Sequence, residues 1–217
     1  MSKCIIGMAD NYLGKKMEDF LAGKSAAPKR TMTFAKPVAK NRSYRGYDNS
    51  FTVRADQLRR IMEVVPACPS ARNQQVLRLR PVLADEAEKV LPYIRLGGAL
   101  RDIKLPLPGT EPRAFIVICS TTAEDKYVNM DIGIVAQTML LQATEIGLNG
   151  ICIGAFDHAE VQKSLNLPYE PLLIVAIGKG AERIQMVDIT EGESHNYYRA
   201  DGIHYVPKLP LEEIVLK

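Results

Sequence analysis

Hydrophobic positions recur along the chain in two rhythms, and their succession outlines helices interleaved with strands. Over residues 10–22, Tyr12, Leu13, Met17, Phe20 and Leu21 share one face of a short helix that Gly23 ends. Residues 24–40, with Pro28 and Pro37 among Lys, Ala and Ser, read as a linker. Leu58, Ile61, Met62 and Val65 are spaced for the core side of a helix from Arg54 to Val65, which Pro66 and Pro69 stop. Val76, Leu77, Leu79 and Val82 enclose Arg78 and Arg80, a strand pattern over 75–83. A helix over 85–96 and a proline-rich loop over 105–112 complete the first half.

The second half is more strongly patterned. Ala114 to Cys119 is an apolar run of strand length, the kind found inside a sheet with both faces covered. Residues 129–146 predict the longest helix, closed by Gly147 in a left-handed cap. Gly133, Ala136, Leu140, Ala143 and Gly147 form a stripe of mostly small residues, and Ile132, Val135, Met139, Leu141 and Ile146 make the remaining faces apolar too. A helix apolar nearly all round is buried on every side, which in a small domain points to a subunit interface. Strands over 150–156 and 172–177 flank a helix at 158–165. Strands interleaved with helices imply a layered mix of both, too irregular for a doubly wound series.

Length and charge narrow the class. The 217 residues suit one domain with an extension, and 47% hydrophobic with 24% charged residues is ordinary globular composition. The net charge of +3 is too balanced for a dedicated nucleic-acid binder. No apolar run approaches the roughly 20 residues of a spanning helix, so no membrane is expected. Cys4, Cys68, Cys119 and Cys152 show no C-x-x-C pair, and His158, His195 and His204 share no metal spacing, so neither a disulfide framework nor a metal site is expected. Cys119 and Cys152, inside β-branched runs, read as small buried hydrophobes. A soluble, cytoplasmic protein is the expectation.

Three segments carry candidate chemistry. In Asn41-Arg42-Ser43-Tyr44-Arg45, two guanidiniums flank a hydroxyl, a set able to grip a phosphate at any working pH, although a solvated basic turn has the same composition. Pro69-Ser70-Ala71-Arg72-Asn73-Gln74-Gln75 is a turn rich in amides and hydroxyls, suited to the polar edge of a heterocycle or to plain capping. Ile151 to Asp157 ends a strand at Gly154-Ala155, where backbone N–H groups approach a flat ligand, and Asp157 caps the next helix. Gly178-Lys179-Gly180 after a strand suggests a dinucleotide fold, but Arg183 stands where a third glycine belongs, and that reading is rejected. No acid, base or nucleophile set is visible, so an enzyme of this sequence relies on a cofactor.

Taken in order, these segments resemble the nitroreductase family of flavin mononucleotide (FMN) enzymes. Its opening Arg-Arg-Ser-x-Arg-x-Phe stands here as residues 41–47, its Pro-Ser-x-x-Asn-x-Gln-Pro-Trp as residues 69–77, and its central helix as Asp131-Ile132-Gly133 onward. Residues 153–156 and 174–178 resemble its flavin-facing strand end and last core strand. Lys208-Leu209-Pro210-Leu211-Glu212-Glu213 resembles its C-terminal Arg-x-Pro-x-Glu-Glu. The resemblance implies an α+β fold with a central mixed sheet flanked by helices, in an intertwined homodimer. The domain would span 37–217, after a helix-and-linker extension over 1–36.

It further implies that Arg42, Ser43, Arg45 and Lys208 hold the FMN phosphate. Pro69, Ser70 and Asn73 of the partner subunit would border the ring, with backbone at Gly154 and Ala155 facing its reactive N5 edge. NADH or NADPH would deliver hydride and give way to a nitroaromatic or quinone acceptor in a ping-pong sequence. Asn41 replaces the first arginine, Val76-Leu77 replaces Pro-Trp and Lys208 replaces an arginine, trading a planar fork for a point charge. Alternatives are a non-catalytic flavin or phosphorylated-ligand sensor, a reductive dehalogenase of the same family, and a basic N-terminal arm for partner contact.

Overall fold

The two most apolar runs of the sequence lie side by side in the middle of the main sheet. In a computed structural model, which describes residues 34–100 and 103–216, they form strands β2 (Ala114–Ser120) and β4 (Glu170–Gly178). Strand β1 (Leu77–Val82) pairs on the outer side of β2, and β3 (Asn149–Ile153) on the outer side of β4, giving the order β1-β2-β4-β3. All three pairings are antiparallel. Every residue of β2 is buried, as expected for a strand covered on both faces.

One face of the sheet carries α2 (Ala55–Met62) and the 20-residue α3 (Lys126–Glu145); the other carries α4 (His158–Ser164). The alternation along β2 sorts its side chains between two cores. Ile116 and Ile118 meet Met139 and Ala143 of α3, whereas Phe115 and Val117 meet Val161 of α4. Asp125 starts α3, its carboxylate accepting the N–H groups of Tyr127 (2.9 Å) and Val128 (2.8 Å). Gly147 ends it at φ +80, with the Leu148 N–H returning to the Ala143 carbonyl (2.8 Å) and the Gly147 N–H to Thr144 (3.1 Å). Both expected caps, Gly147 here and Asp157 on the Glu160 N–H at the start of α4, are in place.

A second sheet, of order β5-β7-β6, comprises β5 (Arg183–Asp188), β6 (Tyr198–Ala200) and β7 (Ile203–Lys208). Its β5–β7 pair is parallel and its β6–β7 pair antiparallel, so the mixed character of the fold enters there. A last turn of helix, α5, covers Leu211–Ile214. No helix among the described residues is long and apolar enough to cross a membrane.

Several expectations change. Residues 85–96 form two short 3-10 turns, Ala87–Lys89 and Leu91–Tyr93, because Pro92 cannot donate the hydrogen bond that a continuous helix needs. The expected linker ends in a helix, α1 (Ala35–Lys40), with Pro37 in its first turn, where no donor is needed. The helix expected over 10–22 lies outside the described residues. The small-residue stripe of α3 is divided: Ala136, Leu140 and Ala143 pack into the core of this chain, while Gly133 faces outward with Met130, Ile134 and Gln137.

The Gly178-Lys179-Gly180 sequence has a packing cause. A Cβ on Gly178 would stand 2.5 Å from Tyr47 Cδ1, and one on Gly180 would enter the ring of Tyr44. Tyr47 is 2% exposed, so these glycines admit two aromatic rings against the sheet edge. The chain after Gly180 enters β5, not a helix, in keeping with the rejected dinucleotide reading.

Candidate functional site

The segment 41–48 is extended chain stitched along the edge strand. Ser43 forms a parallel bridge with Gly150, and the Tyr44 N–H donates to the Gly150 carbonyl (3.2 Å). Tyr47 and Asp48 donate to Thr110 (2.9 Å) and Lys179 (2.8 Å). These bonds fix the backbone on which Arg42, Ser43 and Arg45 stand.

The three residues meet Lys208, at the end of β7, around one cavity of about 460 Å³. Val38, Asn41, Gln137, Leu140, Gly150, Cys152, Tyr197, His204 and Val206 complete its lining. Its volume lies in the range of small-molecule sites, roughly 300 to 1,000 Å³. Three lining side chains are cationic and none is acidic. Among the described residues, no carboxylate pairs with Arg42, Arg45 or Lys208.

Arg45 is 8% exposed. Its Nη1 donates to the Ser43 carbonyl (3.0 Å) and to His204 Nε2 (3.1 Å), and its guanidinium lies 4.3 Å from the centre of the Tyr197 ring. Arg42 donates to the Val38 carbonyl (2.6 Å) and to the Met186 sulfur (2.8 Å), the latter a weak acceptor. Arg42 Nε, Arg45 Nε and His204 Nδ1 are buried with no hydrogen-bond partner, although buried polar atoms are nearly always paired. Burial first, then the neighbouring Arg45 charge, holds the His204 pKa below 6.5, so the ring is neutral at pH 7 and Nε2 accepts from the arginine.

Cys152 differs from its expected burial. It lies on the outward side of an edge strand, in step with Gly150 and Gly154, and its side chain opens into the cavity while Cys119 stays in the core. Although the residue is exposed at the cavity, the protein packed around its sulfur displaces water and pushes the thiol pKa up to about 11, so the thiol adds no negative charge there.

Gly154 and Ala155 border a neighbouring cavity of about 630 Å³ with Tyr93, Arg95, Phe156 and His158. Both are exposed, and a Cβ on Gly154 would meet nothing within 4 Å. The Arg95 N–H holds the Ala155 carbonyl (2.8 Å), fixing the turn, and Phe156 stacks on His158 at 4.1 Å. The outward face of β3 therefore runs from the cationic cavity to this open backbone.

Pro69, Ser70 and Asn73 line a third cavity, of about 260 Å³, beside Asp131 and Val135 near the start of α3. It shares no residue with the cationic cavity, so one chain does not bring these three to Arg42 and Arg45. Asp131, 2% exposed, anchors the loop: Ser70 Oγ donates to Oδ2 (2.7 Å) and the Ala71 N–H to Oδ1 (2.8 Å). Ser70 Oγ also accepts the Gln75 N–H (3.0 Å). Arg72, Asn73 and Gln75 have φ of 54, 54 and 52, a concentration of left-handed non-glycine residues that only strong anchoring sustains.

Asp131, Tyr197 and His204 line these cavities without having been expected as site residues from the sequence. Tyr197 and His204 stand more than 150 positions from Arg45, and no spacing rule links them to it.

The family model described as the nitroreductase family matches residues 101–179. A protein of Methanocaldococcus jannaschii that carries the name nitroreductase is 39% identical over 57 residues, which is 26% of this chain; the chain spans 29% of that relative. Among solved structures, a nitroreductase family protein from Streptococcus pneumoniae matches with a TM-score of 0.63 at 17% identity, covering 85% of this chain and 100% of that one. One from Desulfovibrio desulfuricans, described as a nitroreductase in complex with FMN, matches at 0.60 and 20%, covering 85% and 96%. A third, from Staphylococcus epidermidis, is described as an NAD(P)H:FMN oxidoreductase and matches at 0.56 and 20%, covering 71% and 90%. At these identities the structural matches establish the fold.

Proposed function

We propose, from the match of residues 101–179 to the nitroreductase family model and from the shared fold, that this chain is an FMN-dependent oxidoreductase that takes hydride from NADH or NADPH and passes it to nitroaromatic or quinone-type acceptors. The observation that carries this reading is the cationic cavity: three positive side chains, no acidic one, and buried arginine and histidine nitrogens without partners. Such a set fits a terminal phosphate, whose oxygens would satisfy those donors. When bound, the flavin supplies hydride chemistry at N5, with donor and acceptor in turn on one ring face.

The chain's own residues have distinct tasks in this reading. Arg42, Arg45 and Lys208 hold the phosphate by charge, with the exposed Ser43 hydroxyl beside them. His204, neutral at pH 7, keeps Arg45 directed to the cavity without adding charge. The free backbone at Gly154 and Ala155 offers N–H groups to the ring edge, where a donor stabilises developing negative charge.

The separation of Pro69, Ser70 and Asn73 from the cationic cavity supports a homodimer in which those residues serve the partner's site. So does the unpartnered apolar surface of this chain: Met130 is 59% and Ile134 38% exposed on one face of α3, and Leu211, Ile214 and Val215 protrude at the C-terminus. The test is flavin-dependent NADH oxidation with a quinone or nitrofuran acceptor. Turnover that requires FMN is the expected result. Tight FMN binding without turnover would turn the reading toward a sensor.

A further inference from the structure

Glu182 lies on the turn between β4 and β5, outside the lining of the cationic cavity, and its side chain is only 10% exposed. Its Oε2 accepts two backbone donors, the N–H of Arg45 and that of Gly46, the latter at 3.0 Å. Its Oε1 is taken by the guanidinium of Arg199. A carboxylate beside an arginine normally captures the guanidinium as a bidentate pair. Here both oxygens are engaged elsewhere, and the Arg45 guanidinium points instead to the Ser43 carbonyl, His204 and the face of Tyr197, at the cavity wall.

We propose that Glu182 is a positioning residue for the anion pocket: it clamps the backbone of Arg45 and Gly46 so that the Arg45 side chain is presented to a phosphate. Arg199, by occupying the other oxygen, keeps the carboxylate from neutralising Arg45. The proposal rests on the reading of the cavity as the FMN phosphate site.

Simple charge arithmetic and positioning predict opposite signs. Glu182 is an acid close to an anion site, so on charge alone its removal tightens FMN binding. If it positions Arg45, its removal weakens binding.

The experiment is flavin titration of the full chain, with FMN and with riboflavin, which lacks the phosphate. Glu182→Ala is expected to raise the FMN Kd about tenfold while riboflavin stays within about twofold, the size of one charged hydrogen-bond arrangement lost. Glu182→Asp keeps the charge but falls one methylene short of the backbone donors, so it also weakens FMN selectively; it serves where the alanine variant does not fold. Glu182→Gln retains an oxygen for both N–H groups but sets an amide NH2 against the Arg199 guanidinium, so its FMN Kd is expected between those of the wild type and the alanine variant.

Unchanged or tighter FMN binding in both the alanine and aspartate variants overturns the proposal. A wild-type chain that binds riboflavin as tightly as FMN is a different failure, that of the phosphate reading itself.

Discussion

His204 shows how one buried ring couples the cationic cavity to the stability of the fold. Burial and the adjacent Arg45, with a smaller contribution from Arg199, hold its pKa below 6.5 against the opposing pull of Glu182. In the window just below 6.5 the unfolded chain therefore binds a proton that the folded chain refuses. Stability is complete above this window and falls as the pH drops through it. Urea midpoints measured between about pH 7 and about pH 5.5 are expected to decline for the wild type and to decline less for His204→Gln, since 6.5 is the ordinary histidine value. Parallel declines would mean that another group governs the acid limb.

At the scale of elements, helix α3 organises both the core and the strained loop. Its buried Asp131 receives the Ser70 hydroxyl and the Ala71 N–H while the next residues hold left-handed conformations. Replacing Asp131 by Ala strands those donors and is expected to cost about 2 to 4 kcal/mol, read as a lowered urea midpoint with faster proteolysis within residues 70–75. An unchanged midpoint would show that the loop holds itself. Elements of this kind were legible where local chemistry decides them: the β-branched runs became β2 and β4, and Gly147 and Asp157 cap helices as expected, whereas α3 starts at Lys126 behind an Asp125 cap, three residues ahead of the expected start at 129. The sheet of β5, β6 and β7 was not legible, because it is half exposed, mixed in direction and short of apolar alternation. Residues 85–96 carry helical spacing, but Pro92 decides against a helix.

For the molecule as a whole, the candidate site was legible as segments and not as a constellation. Arg42, Ser43, Arg45 and Lys208 converge on one cavity, whereas the clamp between Glu182 and the Arg45 turn joins positions 137 residues apart, a separation at which composition carries no signal. The remaining predicted residues fall in two further cavities, an arrangement that suits a site completed between two chains. Introducing charge at the exposed α3 face, with Met130→Asp and Ile134→Asp together, is expected to shift sedimentation toward the monomer and to lower FMN retention at the same time. Dispersal to monomers with full retention would show that one chain suffices for the cofactor.

The most direct measurement is the affinity of the purified chain for FMN against riboflavin, repeated on the Arg42→Ala, Arg45→Ala double variant. The account predicts that the wild type favours FMN strongly and that the double variant loses several kcal/mol of FMN binding, at about 1.5 to 3 for each charged hydrogen bond, while riboflavin binding barely moves. Equal FMN retention in wild type and variant would contradict it.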